Sequence, residues 1–455
     1  MDPMSAAHRL DETLPAWVAG LRIEDIPAQA VACAKRTLLD TLAVAWAGSA
    51  ATGVAPVLEM LAGQGGAREA SLWTDEVRLP AASAAFANGL LASALDFDSV
   101  HDEATIHPDI VMVPALLALA ERGGFGGREF IAAHVAGSEM AVRLGLAVQS
   151  HPGWFYSSVL GVIAAAAASA RLLGLGVDGV RTAAGVALSR AAGSQQALVE
   201  GSFTKRLQTA FAARDGVEAA LLAQCGITAP RQLFGGRAGV EALYTGFDAD
   251  KALSGLGRDW RFTGLTIKNY PSCFCNHAAI LAAQEIARDL PLTAAQVRSC
   301  TVTLTPFSAR LVGGAFTPEA NPQGAAQFSV RYSVASVLLR GDFRLAHIDP
   351  GAVMDPEVLA LARRIEVVTD ASATGKFTPA TVEVRLADSA ERRVRIDAIP
   401  GTPVQPLDAE AVLKKAQACF AAGVRPLPPA RVQQLVERID GLETLDSLSG
   451  LWKFD

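Results

Sequence analysis

The sequence has few aromatic residues, few charges and no concentrated block of basic residues. Aromatic side chains make up 6% of the 455 residues and charged side chains 19%, whereas hydrophobic residues reach 51%. Disordered chains combine low hydrophobicity with high charge, so this composition excludes a disordered protein. The formal net charge of −6 and the lack of a basic tract argue against nucleic-acid binding. The length predicts two or three domains with a large core.

Markers of secretion and of membrane insertion are also missing. No C-x-x-C pair occurs, and the first twelve residues contain no apolar segment of the kind found in signal peptides. Two long stretches without charged residues, 41–58 and 144–170, contain glycine, proline and polar residues, so we interpret them as buried helices and not as membrane spans. We expect a cytoplasmic protein with reduced thiols. The cysteines are Cys33, Cys225, Cys273, Cys275, Cys300 and Cys419.

Hydrophobic periodicity divides the chain into a helical part and a mixed part. Helical spacing predicts helices near 27–47, 81–95, 113–121, 127–147, 158–173, 177–189 and 206–224, and again at 408–421 and 428–440. Period-two strings predict strands at 298–305, 365–369, 381–386 and 393–396, interleaved with helices near 277–289, 327–339 and 356–364. The predicted fold is mainly α. It consists of a large all-helical domain, residues 1–264 plus 400–455, with an inserted smaller α+β lid domain, residues 265–399.

The segment 96–109 contains four aspartates, one glutamate and two histidines between two apolar helices. Such a cluster costs desolvation free energy unless it faces a cavity or is fully paired. An ordinary acidic loop with helix caps is one interpretation. A metal site that uses Asp98, His101, Glu103 or His107 is another, although no zinc-ligand spacing is matched.

Lys205 begins a very apolar helix that runs to Cys225. The positive end of the helix dipole and partial burial would lower the pKa of this lysine, which makes it a candidate base. The alternative is a surface lysine at a helix start.

The segment 268–279 holds a third group of polar residues. Tyr270 precedes a proline and is therefore extended, and His277 lies at the start of the next helix, where the dipole favours its neutral form. His277 could equally be a lone capping residue. Cys273 and Cys275 alternate on one side of an extended segment, and we interpret both as structural.

Taken together, three stretches resemble the MmgE/PrpD family, which includes 2-methylcitrate dehydratase, cis-aconitate decarboxylase and iminodisuccinate epimerase. They are 95–121, 204–207 and 268–279, with supporting matches at 161–168 and 327–341. The resemblance implies a helical domain with an α+β lid, a site between the two, a homodimer, and catalysis without a metal or another cofactor. It also implies a small carboxylate as the substrate.

The resemblance matches Asp96, His107, Lys205 and His277 to positions that line the family's site, with His101 and Lys268 as nearby matches. We predict His107, Lys205, His277 and Tyr156 as catalytic residues. We predict Asp96, His101, Lys268 and Gln208 as substrate-binding residues. Two positions depart from the family pattern: Phe155 occupies the place of a common histidine, with Tyr156 beside it, and Gln208 occupies another.

The predicted chemistry begins with removal of a proton from a carbon next to a carboxylate. A lyase of the hydratase or dehydratase type, acting on a small di- or tricarboxylate, is the first hypothesis. An epimerase that exchanges a proton between two groups on opposite faces is the second. The third is a structural or binding protein that keeps the fold without catalysis.

Overall fold

The computed structural model describes residues 5–150, 153–244, 246–288 and 291–451, and most of them are helical. The first twelve helices are α1 Ala6–Gly20, α2 Ala28–Gly48, α3 Val54–Gln64, α4 Ala81–Ser93, α5 Asp109–Gly123, α6 Gly127–Ala147, α7 Tyr156–Leu172, α8 Gly176–Leu188, α9 Gln196–Val199, α10 Thr204–Gln224, α11 Val240–Leu243 and α12 Ala249–Leu253. They are followed by α13 His277–Ile286, α14 Pro306–Val312, α15 Pro322–Gln327, α16 Val330–Arg340, α17 Pro350–Val353, α18 Pro356–Ala362, α19 Ala409–Ala421 and α20 Pro429–Asp440.

The strands are short and lie mainly in the second half of the chain. They are β1 Ala70–Ser71, β2 Arg78–Leu79, β3 Val100–His101, β4 Leu265–Thr266, β5 Val297–Leu304, β6 Ile365–Thr369, β7 Ala380–Leu386 and β8 Glu391–Ile396. The predicted mainly α fold is confirmed, and the four predicted strands correspond to β5–β8. Helices α1 and α3 were not predicted. Residue 289, the predicted end of α13, lies outside the described residues.

Small residues let the central helices α4, α5, α7 and α10 pack closely. A Cβ atom built on Gly216 in α10 would lie 2.6 Å from the Cβ of Ala165 in α7, so only glycine fits at this crossing. Near the start of the same pair, the Ser158 hydroxyl donates a hydrogen bond to the Gln208 carbonyl at 2.9 Å. The first turns of α7 and α10, which carry Tyr156 and Lys205, are therefore held side by side.

The largest sheet has the order β6-β5-β7-β8. Strand β5 is parallel to β6 and antiparallel to β7, and β7 is antiparallel to β8. A separate two-stranded pair joins β3 to β4, with Val100 opposite Thr266 and His101 opposite Leu265. This pair anchors the acidic segment 96–109 next to the start of the segment that contains Lys268.

Helix α19, the second-last of the numbered helices, packs on α2 in the helical part of the molecule. Lys415 Nζ lies 2.7 Å from Asp40 Oδ1, and the rings of Trp46 and Phe420 are 5.7 Å apart. The division into a domain of residues 1–264 plus 400–455 and a lid of residues 265–399 stays a prediction. In the described part of the chain, no helix is both long enough and apolar enough to cross a membrane.

Candidate functional site

Asp96 lies at the centre of a group of charged side chains just after α4. Its backbone φ is +51°, in the left-handed region that aspartate tolerates better than most residues. The carboxylate forms ion pairs with Lys205, in the first turn of α10, and with Lys268, just after β4. Lys268 Nζ donates to Asp96 Oδ2 at 2.9 Å and to the Asp96 carbonyl at 2.8 Å. The fold therefore brings together three of the predicted site residues.

The ionisation of this group is decided by competition between burial and charge. Burial opposes ionisation of Asp96, but the attraction of Lys205 and Lys268 outweighs it and holds the pKa of Asp96 well below its usual value. Burial also opposes the charge on Lys268, but Asp96 and Asp98 together raise the pKa of Lys268 above its usual value. One carboxylate thus lies between two ammonium groups.

His107 is held in one orientation by the segment that precedes α5. Its Nδ1 lies 2.7 Å from Asp98 Oδ2 and 3.0 Å from the Ser99 carbonyl. Because both partners are acceptors, we assign the hydrogen to Nδ1, which leaves Nε2 with a lone pair. The backbone N–H of His107 donates to the Ser157 hydroxyl at 3.1 Å. The pKa of Asp98 is lowered, because His107 and Lys268 outweigh the effect of its burial.

A second buried network supports this segment from behind. The carboxylate of Asp109 accepts hydrogen bonds from the Ser99 hydroxyl and from His134 Nε2, each at 2.7 Å. Asp109 and His134 are fully buried. No sequence signal marks His134 or Ser157 as part of the site, because a lone histidine or serine in an apolar helix has many structural explanations.

A partly enclosed cavity lies against these residues. Of the eight predicted site residues, those that line it are Asp96, His107, Tyr156, Lys205 and Lys268. Phe155 and Phe328 also line it, with ring centres 5.6 Å and 5.2 Å from Lys205 Nζ. Arg310, in α14, is a further cation of the lining that the sequence motifs did not reveal.

The other three predicted site residues lie behind or beside the cavity. His101 Nδ1 accepts from the Ala104 N–H at 3.2 Å, so its Nε2 donates to the Arg261 carbonyl. Gln208 donates to the Ser194 carbonyl at 2.9 Å. His277 is fully buried, and the centre of its ring lies 4.9 Å from that of Phe274, which does line the cavity. Their roles toward a substrate stay predictions.

His277 should stay neutral throughout the physiological pH range. Burial first, and then the charge of Lys268, lower its pKa to about 3. Between about pH 6.5 and pH 3, the unfolded chain therefore binds a proton that the folded chain does not. The free energy of unfolding consequently decreases as the pH is lowered through this window. We expect the free energy of unfolding, measured by urea denaturation, to decrease less between pH 7 and pH 4.5 in His277→Gln than in the parent protein. Equal losses in the two proteins would contradict this assignment.

The two cysteines after Lys268 both line the cavity. A hydrogen bond between Cys273 and Cys275 lowers the pKa of Cys273, whereas burial raises that of Cys275. All six cysteines are unpaired thiols. Among the described residues, no three histidine, cysteine, aspartate or glutamate side chains are grouped as metal ligands would be. In the acidic segment, Asp98 and His107 bond to each other and His101 faces a backbone carbonyl.

Comparison with known proteins agrees with this arrangement over nearly the whole chain. Residues 12–251 match the model of the MmgE/PrpD N-terminal domain, and residues 270–440 match that of the C-terminal domain. The chain belongs to the MmgE/PrpD family. Asp96, His107 and Lys205 lie in the N-terminal match, and Lys268 lies just before the C-terminal one.

Several similar proteins are named as cis-aconitate decarboxylases or as decarboxylase-like. The cis-aconitate decarboxylase-like protein oryM of Aspergillus oryzae is 31% identical over 76% of this chain and 76% of its own length. The cis-aconitate decarboxylase of Aspergillus terreus is 29% identical over 77% of this chain and 76% of its own length. The human cis-aconitate decarboxylase is 26% identical over 97% of this chain and 93% of its own length. An enzyme of MmgE/PrpD type is therefore supported.

Proposed function

We propose that this protein is a lyase that removes a proton from the carbon next to a carboxylate of a small di- or tricarboxylate. Family membership and the decarboxylase relatives support this reaction class. The observation that carries the proposal is the position of His107, which lines the same cavity as the cations Lys205 and Lys268. A base beside positive charge is what abstraction of a weakly acidic C–H proton requires.

Each of these side chains has a separate task in the proposed reaction. Lys205 binds the substrate carboxylate and stabilises the negative charge that develops as the proton leaves. Lys268, fixed by Asp96, adds to the positive potential. His107 accepts the proton at Nε2, and Asp98 stabilises the resulting imidazolium through Nδ1. In a dehydration, the β-hydroxyl group then takes the proton from the His107 imidazolium and leaves as water. In a decarboxylation, the imidazolium returns its proton at another carbon, and the electron pair left by the departing carbon dioxide takes up a proton from solvent. Of the two histidines predicted to transfer protons, His107 is the one that lines the cavity.

A second candidate function is epimerisation of a carboxylate at the same carbon. It is favoured by Tyr156, whose side chain lines the cavity together with His107 and could return a proton from another direction. Burial raises the pKa of Tyr156, so its hydroxyl suits the acid role and not the base role. The lyase is preferred because the relatives are named as decarboxylases.

Proton NMR in D₂O distinguishes these functions. The protein is incubated with a panel of small di- and tricarboxylates, and the signals of the C–H groups next to each carboxylate are followed. A new alkene or alcohol signal supports the lyase, whereas deuterium exchange with inversion supports the epimerase. Absence of any exchange or product across the panel would contradict both.

Replacing Lys205 should weaken carboxylate binding without unfolding the protein. We expect Lys205→Met to lower the affinity for a bound carboxylate by about tenfold, because a charge-assisted hydrogen bond is lost while the apolar stem is kept. Isothermal titration calorimetry measures the change. Lys414→Met, on an exposed position of α19, is the matched control and should bind as the parent does. Unchanged affinity in Lys205→Met would remove this lysine from the site.

The remaining expectations from the family stay proposals. We propose a cytoplasmic homodimer that works without a metal or another cofactor.

A further inference from the structure

The cavity offers less positive charge than a tricarboxylate needs. Among the described residues that line it, the charged side chains are Lys205, Lys268, Arg310 and Asp96. Asp96 neutralises one of the two lysines, so the excess positive charge among the lining residues corresponds to one lysine and Arg310. Carboxylates are ionised at neutral pH, and an unpaired charge in a partly closed site is costly. Two carboxylates match this excess, whereas a third would be left unpaired.

Arg310 has the position and the freedom to hold the second carboxylate. Its guanidinium lies 5.5 Å from the ring centre of Phe307, another lining residue, and its side chain is exposed. Within the described part of the chain it has no ion pair, in contrast to Lys205 and Lys268. A guanidinium binds a carboxylate through two parallel hydrogen bonds, which gives both affinity and orientation.

The rest of the lining is strongly aromatic, although aromatic residues are scarce in the chain as a whole. On the helical side, the rings are Trp154, Phe155 and Tyr156, which immediately precede or begin α7. Phe328 also lines the cavity, and its ring centre lies 5.2 Å from Lys205 Nζ. A third carboxylate placed among these rings would lose its hydration and gain no cationic partner.

A second group of rings comes from the sheet-bearing part of the chain. The ring of Phe377 lies 4.9 Å from that of Phe274 and 5.6 Å from that of Phe307, both in edge-on contact. All three line the cavity. Such a cluster provides a preformed apolar surface beside Arg310, and an apolar group that covers it is removed from water.

From this combination we infer that the substrate is a dicarboxylate that carries an apolar substituent. One carboxylate binds at Lys205, the other at Arg310, and the substituent lies against the Phe274–Phe307–Phe377 cluster. This inference rests on the proposed function and narrows its substrate class from di- or tricarboxylates to one chemical type.

Three unreactive ligands on one backbone test the inference by calorimetry: succinate, phenylsuccinate and tricarballylate, in which the substituent is hydrogen, phenyl or carboxymethyl. We expect phenylsuccinate to bind at least about tenfold more tightly than either of the others. Tighter or equal binding of tricarballylate would overturn the inference while leaving the proposed carboxylate chemistry intact. No binding of any of the three would count against the proposed function as well.

Two variants test which residues contact the apolar substituent and the second carboxylate. Phe377→His makes one ring of this cluster polar at similar size, and we expect the preference for phenylsuccinate over tricarballylate to fall several-fold. Phe211→His, on an exposed ring outside the cavity lining, is its control and should keep the preference.

The variant Arg310→Gln tests the site of the second carboxylate. In this variant, the ratio of the affinity for phenylsuccinate to the affinity for the monocarboxylate 3-phenylpropionate should be smaller than in the parent protein. If this ratio of affinities is unchanged in Arg310→Gln, Arg310 does not bind the second carboxylate.

Discussion

Replacing His107 with glutamine is expected to lower the turnover number by about 10²–10⁴-fold. Glutamine keeps a polar side chain of similar length but cannot accept a proton at Nε2. Because Lys205 and Lys268 remain in place, the Michaelis constant should change much less than the turnover number. Steady-state kinetics on the carboxylate identified by NMR separates the two parameters.

The matched control is His101→Gln. His101 lies in the same acidic segment but directs its ring at the Arg261 carbonyl, away from the cavity lining. Burial lowers its pKa to about 4, so it is neutral in the folded protein at neutral pH. We expect turnover in this variant to stay within a few-fold of the parent. A large loss in His101→Gln combined with normal turnover in His107→Gln would reverse the assignment of the base.

Replacing Asp96 with asparagine is expected to destabilise the protein by about 3–5 kcal/mol, because it removes the carboxylate that compensates two ammonium groups. Lys268 is completely buried and has no other carboxylate bonded to it in the described structure. Its charge would be left in the interior. Chemical denaturation at pH 7 measures the free energy of unfolding.

Two comparisons keep this prediction specific. Asp250→Asn removes the partner of Arg9 in an exposed pair and should cost less than about 1 kcal/mol. The folded pKa of Asp96 is depressed, so its contribution is present above the unfolded value and lost only when the pH falls through the folded one. The decrease in the free energy of unfolding caused by Asp96→Asn should therefore persist from pH 8 to pH 5. If Asp96→Asn lowers the free energy of unfolding no more than Asp250→Asn does, Asp96 is dispensable for the fold.

The polar segments of the candidate site could be predicted from sequence because each conflicts with its surroundings. Asp96 and His107 lie in a charged stretch between apolar helices, and Lys205 begins an apolar one. A charge in such a context must be paired or must face a cavity, and the structure shows both outcomes. The pairing of β3 with β4, which brings Lys268 to Asp96, joins positions far apart in the chain and has no local signal.

Other features depend on geometry that no local pattern contains. Arg310 follows a strand in the sheet-bearing part and resembles any exposed arginine until the cavity is seen. His277 was predicted as catalytic from the family resemblance, but the direction of its ring depends on the packing of Phe274 and Tyr270 around it. The helix α1 was not predicted, although its buried apolar residues recur at helical spacing.

The charge balance of the site also explains why one aspartate can have two roles. Asp96 pairs with two lysines next to an apolar wall, which stabilises the fold, and leaves enough positive potential to bind an anion. A second protein carboxylate at this position of the cavity would cancel that potential. We expect binding of a substrate anion to weaken the ion pair between Asp96 and Lys205, because the carboxylates of Asp96 and of the substrate then share one ammonium group.

A crystal structure of the protein with a bound carboxylate tests the central claim most directly. We predict a carboxylate oxygen within hydrogen-bond distance of Lys205 Nζ, and the adjacent carbon about 3–3.5 Å from His107 Nε2. A ligand carboxylate that contacts neither Lys205 nor Arg310, or an acidic carbon that faces a different side chain in every copy, would contradict the account.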